Sequence, residues 1–319
     1  MEHPKNKTNL HFKWQPALFL LVLLTVYFAL GFQNIVRERP QSVHQWAQCD
    51  RASVAMVMHK EGISFSKPQT HNIENSTGIT GMEFPFVNAC AATLYNVFGP
   101  YEALYRLIIL AFVTVGLLAA YMFTFDITGN ALTAGLIVLL FFLSPVLVYY
   151  TPNFIPDSPS MALILVFWLF FLRYLKQPSW GLLFLLGIIG LLASLIKISS
   201  LLSIITALCI VLLALAGQLK KHVSLNRKFS YGAIGVLLFI GMSTYGWYSY
   251  AAWLNAVYHS DVFIMHAPIV TNPNKIGELF TIAMDEWGYQ YYSTPVHILW
   301  GLLAIACIAL WKKLTALWD

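Results

Sequence analysis

Charge is the scarcest property of this chain. Of its 319 residues only 10% are Asp, Glu, Lys or Arg, against about 25% in soluble domains. That deficit excludes a surface that mostly faces water. Cysteine is nearly absent as well: Cys49, Cys90, Cys209 and Cys307, with no CxxC pair, which removes a thiolate metal knuckle and a disulfide-stapled fold. Cys209 and Cys307 sit in apolar runs and read as small core residues. Cys49 and Cys90 share one loop, and a disulfide between them stays open without a spacing pattern to support it. Basic tracts interleaved with aromatics are missing, so nucleic acid is not an expected partner. Alternating segments of about ten residues are missing too, which argues against a membrane β-barrel.

What is present is oil-like. The chain is 58% hydrophobic with a mean hydropathy of +0.67, in apolar runs near the roughly 17–25 residues that a bilayer-spanning helix needs. Eight runs are expected to be spans: Pro16–Phe32, Leu104–Phe125, Ala131–Tyr149, Met161–Tyr174, Trp180–Ile196, Leu201–Ala216, Tyr231–Leu254 and His297–Leu310. The fourth is short unless Ser158–Ser160 extends it. Gln33-Asn34-Ile35-Val36-Arg37 follows the first run where a signal peptide would carry small residues, so an uncleaved helix is expected. The fold class is therefore all-α, a polytopic bundle of about eight spans in a single membrane domain.

Threading eight spans sorts the loops into two sets. One holds Lys5, Lys7, Lys13, Arg173, Lys176, Lys220, Lys221, Arg227, Lys228, Lys312 and Lys313, with only Glu2, Asp126 and Asp319 as acids; the other holds the rest of the fourteen acids. The positive-inside rule puts the basic set and both termini in the cytoplasm. Two long loops, about 33–101 and 255–295, are then extracytoplasmic.

The first long loop is the place to look for chemistry, because loops on a rigid scaffold carry function. Its stretch HQWAQCDRASVAMVMHKE, His44–Glu61, is closed by Gly62 and reads as an amphipathic helix. Trp46, Asp50, Val54, Val57 and Met58 fall at helical spacing, which sets Asp50 in an apolar stripe, while Arg51 points elsewhere. A carboxylate there is costly unless it is paired or lines a cavity. A second piece, EFPFVNACAATLYNVF, Glu83–Phe98, precedes Gly99-Pro100. It is too short to span and reads as interfacial or re-entrant, with Glu83 near its N-terminus, where negative charge is favoured.

These pieces carry a resemblance. An apolar first helix leads to a loop helix ending at Gly62. Lys67-Pro68, Gly78, Gly81, Glu83-Phe84-Pro85 and a short helix closing at Phe98-Gly99 follow in order. That order resembles the GT-C superfamily of polyprenyl-phosphate-sugar-dependent glycosyltransferases, in its bacterial branch related to protein O-mannosyltransferases and lipid A aminoarabinose transferases. His44-Gln45-Trp46-Ala47-Gln48-Cys49-Asp50 resembles an H-x-W-R-Q-x-D form of the first-loop motif. Pro152–Asp157 with Ser158-Pro159 resembles the family's Pro-Asp motif opening a later helix, and LIKISSLL around Lys197 its lysine at an outer helix end. The likeness covers roughly residues 10–215. Where many members carry an Asp-Glu pair, counting back from Gly62 finds Ala47 and Gln48, and the carboxylate stands at Asp50. Members are usually longer, so a short or truncated member is implied.

The resemblance implies transfer of a sugar from a polyprenyl-phosphate donor, drawn from membrane lipid, to an extracytoplasmic lipid, glycan or protein acceptor in the bacterial cytoplasmic (inner) membrane. It implies Asp50 as general base and Glu83 as an acceptor-orienting or metal-contacting group. His44, Trp46, Gln48, Arg51, Arg106, Asp157 and Lys197 are its candidate substrate contacts, Lys197 and the arginines for phosphate. Each has a plain counterpart: a paired or turn-capping carboxylate for Asp50, a helix N-terminal charge for Glu83, a solvated loop histidine for His44, an interfacial snorkelling lysine for Lys197 and the same for Arg106, and helix N-capping for Asp157. The Met284–Tyr292 run MDEWGYQYY reads as an interfacial aromatic belt. Asn75-Ser76-Thr77 is a glycosylation sequon with no expected role in a bacterium. No convincing metal-ligand cluster is legible, and a divalent metal stays open. The competing classes are a flippase or transporter for a lipid-linked sugar, though the internal repeats typical of transporters are missing, and a non-catalytic membrane assembly factor.

Overall fold

A computed structural model describes residues 14–73, 77–219, 223, 225–263, 271–287 and 293–309. The sequon's Asn75 and Ser76, residues 288–292 of the aromatic run, and Lys5, Lys7, Lys13, Lys220, Lys221, Lys312 and Lys313 lie outside the described residues. Thirteen α-helices appear among those described: α1 Gln15–Ala29, α2 Phe32–Ile35, α3 Gln45–Glu61, α4 Phe86–Phe98, α5 Glu102–Thr128, α6 Ala131–Phe142, α7 Pro145–Tyr150, α8 Asp157–Lys176, α9 Trp180–Ile196, α10 Leu201–Leu215, α11 Arg227–Tyr258, α12 Pro273–Ile282 and α13 Thr294–Ala309. Extended pairing among them is limited to one antiparallel bridge, Gln69 with Ile79.

Four stretches are long and apolar enough to cross a membrane: α5, α8, Ile198–Leu215 and α11. They make this an all-helical membrane protein. The other four expected spans are helical but shorter, α1, α6, α9 and α13. The expected run Ala131–Tyr149 is two helices, α6 and α7, because Pro145 offers no N–H to continue a helix through it. The fourth run does extend to its N-terminal side, starting at Asp157.

The chain divides into two compact units, Met1–Leu140 with Tyr150–Ala267, and Phe141–Tyr149 with Pro268–Asp319. In the first unit α8, α9, α10 and α11 share a core around Phe167, Phe171, Tyr174, Leu186, Ile204 and Ile240. The helices α8 and α9 form an antiparallel hairpin, so the start of α8 and the end of α9 meet at one end of the bundle. There α3 packs on α4 through Val54, Met58, Ala89 and Ala92, joined by Met82 and Phe263. At the opposite end Arg173 faces Asp126 at 3.8 Å.

α5 and α8 approach so closely at Gly116 that a Cβ there would lie 2.6 Å from the Cα of Ala162. Lipid-embedded helices associate through such small residues, since apolar burial alone gives little drive between them. Gly116→Ala is expected to cost roughly 1–3 kcal/mol by overpacking and to lower Tm in detergent. Gly181→Ala, where a Cβ meets nothing within 4 Å, is expected to leave Tm unchanged or raise it; thermal unfolding of both variants checks the pair.

Candidate functional site

Four charged side chains from four different segments meet at the α8 N-terminal end of the first unit. Arg51 of α3 donates from Nη2 to both carboxylate oxygens of Glu83, at 3.0 and 3.2 Å. Glu83 Oε1 lies 3.8 Å from Lys197 Nζ, and Lys197 Nζ lies 3.3 Å from Asp157 Oδ1. The result is an alternating row, Arg51, Glu83, Lys197, Asp157. Its two ends differ in wetness. The Arg51 and Glu83 side chains are only 10% and 9% exposed, whereas Lys197 and Asp157 are 30% and 50% exposed. Lys197 and Asp157 therefore form the solvent-facing end of the row.

The loop carrying Glu83 is tied down residue by residue. Asn255 of α11 accepts from the Gly81 N–H at 2.6 Å and donates to the carbonyls of Gly81 and Phe263 at 3.1 and 2.8 Å. Thr80 donates to Asn255 Oδ1 at 3.3 Å and accepts from Ser260 at 2.9 Å. Trp247 Nε1 donates to the Met82 carbonyl, and the Phe84 N–H donates to the Leu195 carbonyl of α9. Position 81 must be glycine, because a Cβ would collide with the Ala251 carbonyl. Lys197 ends α9 in an extended conformation, and the next N–H, of Ile198, donates to the Tyr248 hydroxyl at 2.9 Å. Asn88 of α4 donates to the Arg51 carbonyl at 2.7 Å. Gly81 stands in the glycine run that the sequence reading marks, whereas Asn255, Trp247, Tyr248 and Asn88 do not stand out in it; the legible signal is an amide side chain, Asn255 or Asn88, in an otherwise apolar helix.

The expected stripe on α3 is rotated. Its buried residues are Ala47, Gln48, Arg51, Val54, Ala55, Val57 and Met58, while Trp46 is 65% exposed. Arg51 thus points inward and Trp46 outward, the reverse of the sequence expectation, because the helix turns the i, i+4, i+7 line through position 51 toward α4. Gln48 is fully buried and donates to the carbonyls of Gln41 and Val43, which fixes the turn entering α3. His44 opens that helix in a left-handed conformation, φ 55°, and its ring stacks on Tyr150.

Asp50 is half-buried and lies off the inward face of α3, not in the apolar stripe expected for it. Its carboxylate makes no hydrogen bond or ion pair among the described residues. Burial pushes its pKa above the ordinary aspartate range, with the neighbouring Arg51 pulling the other way. Asp157 is not an N-cap: α8 begins at Asp157 itself, Pro156 is the cap position, and no side chain caps the end. Its carboxylate turns to Lys197 instead and still gains from the helix N-terminus. Arg106 is 1% exposed, and its guanidinium donates to the carbonyls of Glu38, Arg39 and Pro152 and to Asn153 Oδ1, with Phe154 stacked on it at 4.7 Å. It pins the chain after α2 to the turn before α8 and does not join the row. Cys49 and Cys90 are free thiols, so the disulfide left open by the sequence is not formed. Among the described residues no three His, Cys, Asp or Glu side chains gather as a metal site.

An apolar groove of about 580 Å³ runs between α4, α5 and α8, lined by Cys90, Leu94, Phe112, Val115, Ala162 and Val166 among others. Ala162 lies five positions along α8 from Asp157, about 7.5 Å of helix rise. Groove and charged row are thus neighbours along α8.

The chain matches no protein-family model, no curated protein and no solved structure. Its chemistry is read from these side chains.

Glu83→Gln would leave Arg51 buried with no counter-charge, and is expected to cost about 3–5 kcal/mol. Pairing it with Arg51→Met removes both charges and is expected to recover most of that loss. Urea or thermal denaturation of the single and double variants measures the coupling; additive losses would show that the pair is not one unit.

Proposed function

We propose that this protein is a membrane glycosyltransferase that takes a sugar from a polyprenyl-phosphate donor and passes it to an extracytoplasmic hydroxyl acceptor, in a bacterial cytoplasmic membrane with both termini inside. The observation that carries the reading is the meeting of Lys197 with Glu83, Arg51 and Asp157 at the bundle end, next to the groove between α4, α5 and α8. An anionic head beside Lys197 and an apolar tail along the groove describe one amphiphile, and a lipid-linked sugar phosphate is such a molecule.

In this reading Lys197 receives the donor phosphate, with Asp157 as its resting partner and Glu83 holding the ammonium from its other side. Both oxygens of Glu83 are taken by Arg51, so its part is to position Lys197. Asp50 is the base. The acceptor oxygen attacks the anomeric carbon while Asp50 takes the hydroxyl proton. The bond from that carbon to the phosphate oxygen breaks, and its electron pair leaves with the polyprenyl phosphate, whose charge Lys197 offsets. A base works best when its pKa approaches the working pH, and such help is typically worth about 10²–10⁴-fold. The burial that raises Asp50 serves this end. Exposed Trp46 stands one turn before it on α3, with the His44 ring edge-on to it from the cap position, both on hand for an acceptor. Gln48 and Arg106, taken up by backbone carbonyls, support the scaffold.

Asp50→Asn is expected to leave the protein folded in the membrane and to abolish transfer of label from a radiolabelled polyprenyl-phosphate sugar to envelope acceptors. Full activity of that variant would remove Asp50 as the base. The wild-type rate is expected to rise with pH through a midpoint above the ordinary aspartate value of about 3.9, since the base works ionised. The stability term has the opposite sense: with the folded pKa raised, stability falls as pH climbs through it. Asp50→Asn is therefore expected to raise Tm at neutral pH, which thermal scans at two pH values check. Label that crosses the bilayer without joining an acceptor would replace the transferase with the flippase reading.

A further inference from the structure

The second unit holds a helix whose two faces differ in kind. On α12 and the turn that follows, Ile276, Leu279, Phe280 and Met284 are all half exposed or nearly so and lie at helical spacing. At about 100° per residue Ile276, Leu279 and Phe280, with Ala283 after them, cover one side, while Asn274, Lys275, Glu278 and Thr281 cover the other, with Ile282 the one large apolar residue among them; Met284 and Asp285 follow in a π-helical stretch, Met284 continuing the apolar side. No residue of α12 is buried. Such a helix does not gain its stability from propensity alone, since ten residues are too few in water. Its apolar side needs a cover.

Chain connectivity says what that cover is. α11 is long and apolar enough to cross the membrane and ends at Tyr258. Asn272 caps α12, and Pro273 opens it, a short stretch of chain later. Without another span between them, α12 stays on the face of the membrane where α11 ends. With ten residues it is about 15 Å long, half the hydrocarbon thickness of roughly 30 Å, so it cannot cross. A short helix with one apolar and one charged side, held next to a bilayer by its own chain, lies in the interface with the apolar side in the acyl boundary.

We infer that α12 is a membrane-surface helix, docked on the lipid leaflet through Ile276, Leu279, Phe280 and Met284. Its charges, one Lys against Glu278 and Asp285, give it no basic surface, so the attraction is to acyl chains and not to anionic headgroups. The assignment stands independently of the sugar-transfer reading, because it uses neither Asp50 nor the charged row.

The test uses the full chain, its four cysteines replaced, in phosphatidylcholine nanodiscs. A nitroxide is placed singly at 276, 278, 279, 280, 281 and 284, all positions whose side chains are exposed, so the labels displace no packing. Collision rates with oxygen, which concentrates in lipid, and with a water-soluble nickel chelate are measured by power saturation. At 276, 279, 280 and 284 oxygen is expected to exceed nickel several-fold, with the ratio reversed at 278 and 281. Added anionic lipid or salt is expected to change neither. Nickel access equal around the helix would place it in water and overturn the inference. Shielding of the apolar positions from both reagents would overturn it too, in favour of a protein partner or a second copy of the chain.

Discussion

A carboxylate on a side chain only 9% exposed, beside apolar helices, has to be matched by positive charge, and Glu83 is matched twice, by Arg51 on the dry side and Lys197 on the wet side. Breaking such a pair costs far more than the pair contributes to folding, because a lone buried charge has nowhere to go. The neighbouring segments are arranged around that constraint. α3 must turn Arg51 inward, the loop must deliver Glu83 at a fixed height, and α9 must stop at residue 197. The ties from Asn255, Trp247 and Leu195 to the Thr80–Phe84 loop supply the second requirement, and Tyr248 beneath Ile198 supports the third.

The gradient of exposure along the row separates brace from site. Arg51 and Glu83 are sealed and committed to each other, whereas Lys197 and Asp157 form a wetter pair at the other end of the row. Exposed ion pairs are weak, with a median near 0–1 kcal/mol, so in the proposed reaction an incoming phosphate would displace Asp157 from Lys197 at little cost. The sealed pair behind keeps the ammonium in place during the exchange. Asp50, one residue from Arg51 yet outside the row, stays free of ion pairs among the described residues and so keeps the proton affinity that a base requires. In the proposed reaction one helix, α3, supplies both the anchoring guanidinium and the base.

The apolar groove and the surface helix extend the same logic to lipid. The groove offers an alkyl chain a seat between α4, α5 and α8, close to the helix start where Asp157 meets Lys197. α12 offers the leaflet an apolar stripe. Both depend on α4 and α12 being too short to cross, so that each presents a side to the bilayer and not a length through it.

The sequence by itself determined the helical membrane class, the two loop helices ending at Gly62 and Gly99, and the residue types of the site. Hydropathy and the 3.6-residue period are local properties that survive without knowledge of neighbours. Asp50, Glu83, Lys197 and Asp157 were visible because charge is so rare here that each ionised residue near an apolar run stands out. The tertiary structure decided which of them touch. It turned α3 by one position, so that Arg51 and not Asp50 faces the core, and it drew Asp157 from helix capping to Lys197. It spent Arg106 on backbone carbonyls and brought Asn255 from more than 170 residues away to hold Gly81. Periodicity fixes the shape of a helix but not its rotation about its own axis; that angle is set by the charge it must meet on the neighbouring segment, and only the folded chain brings that charge within reach.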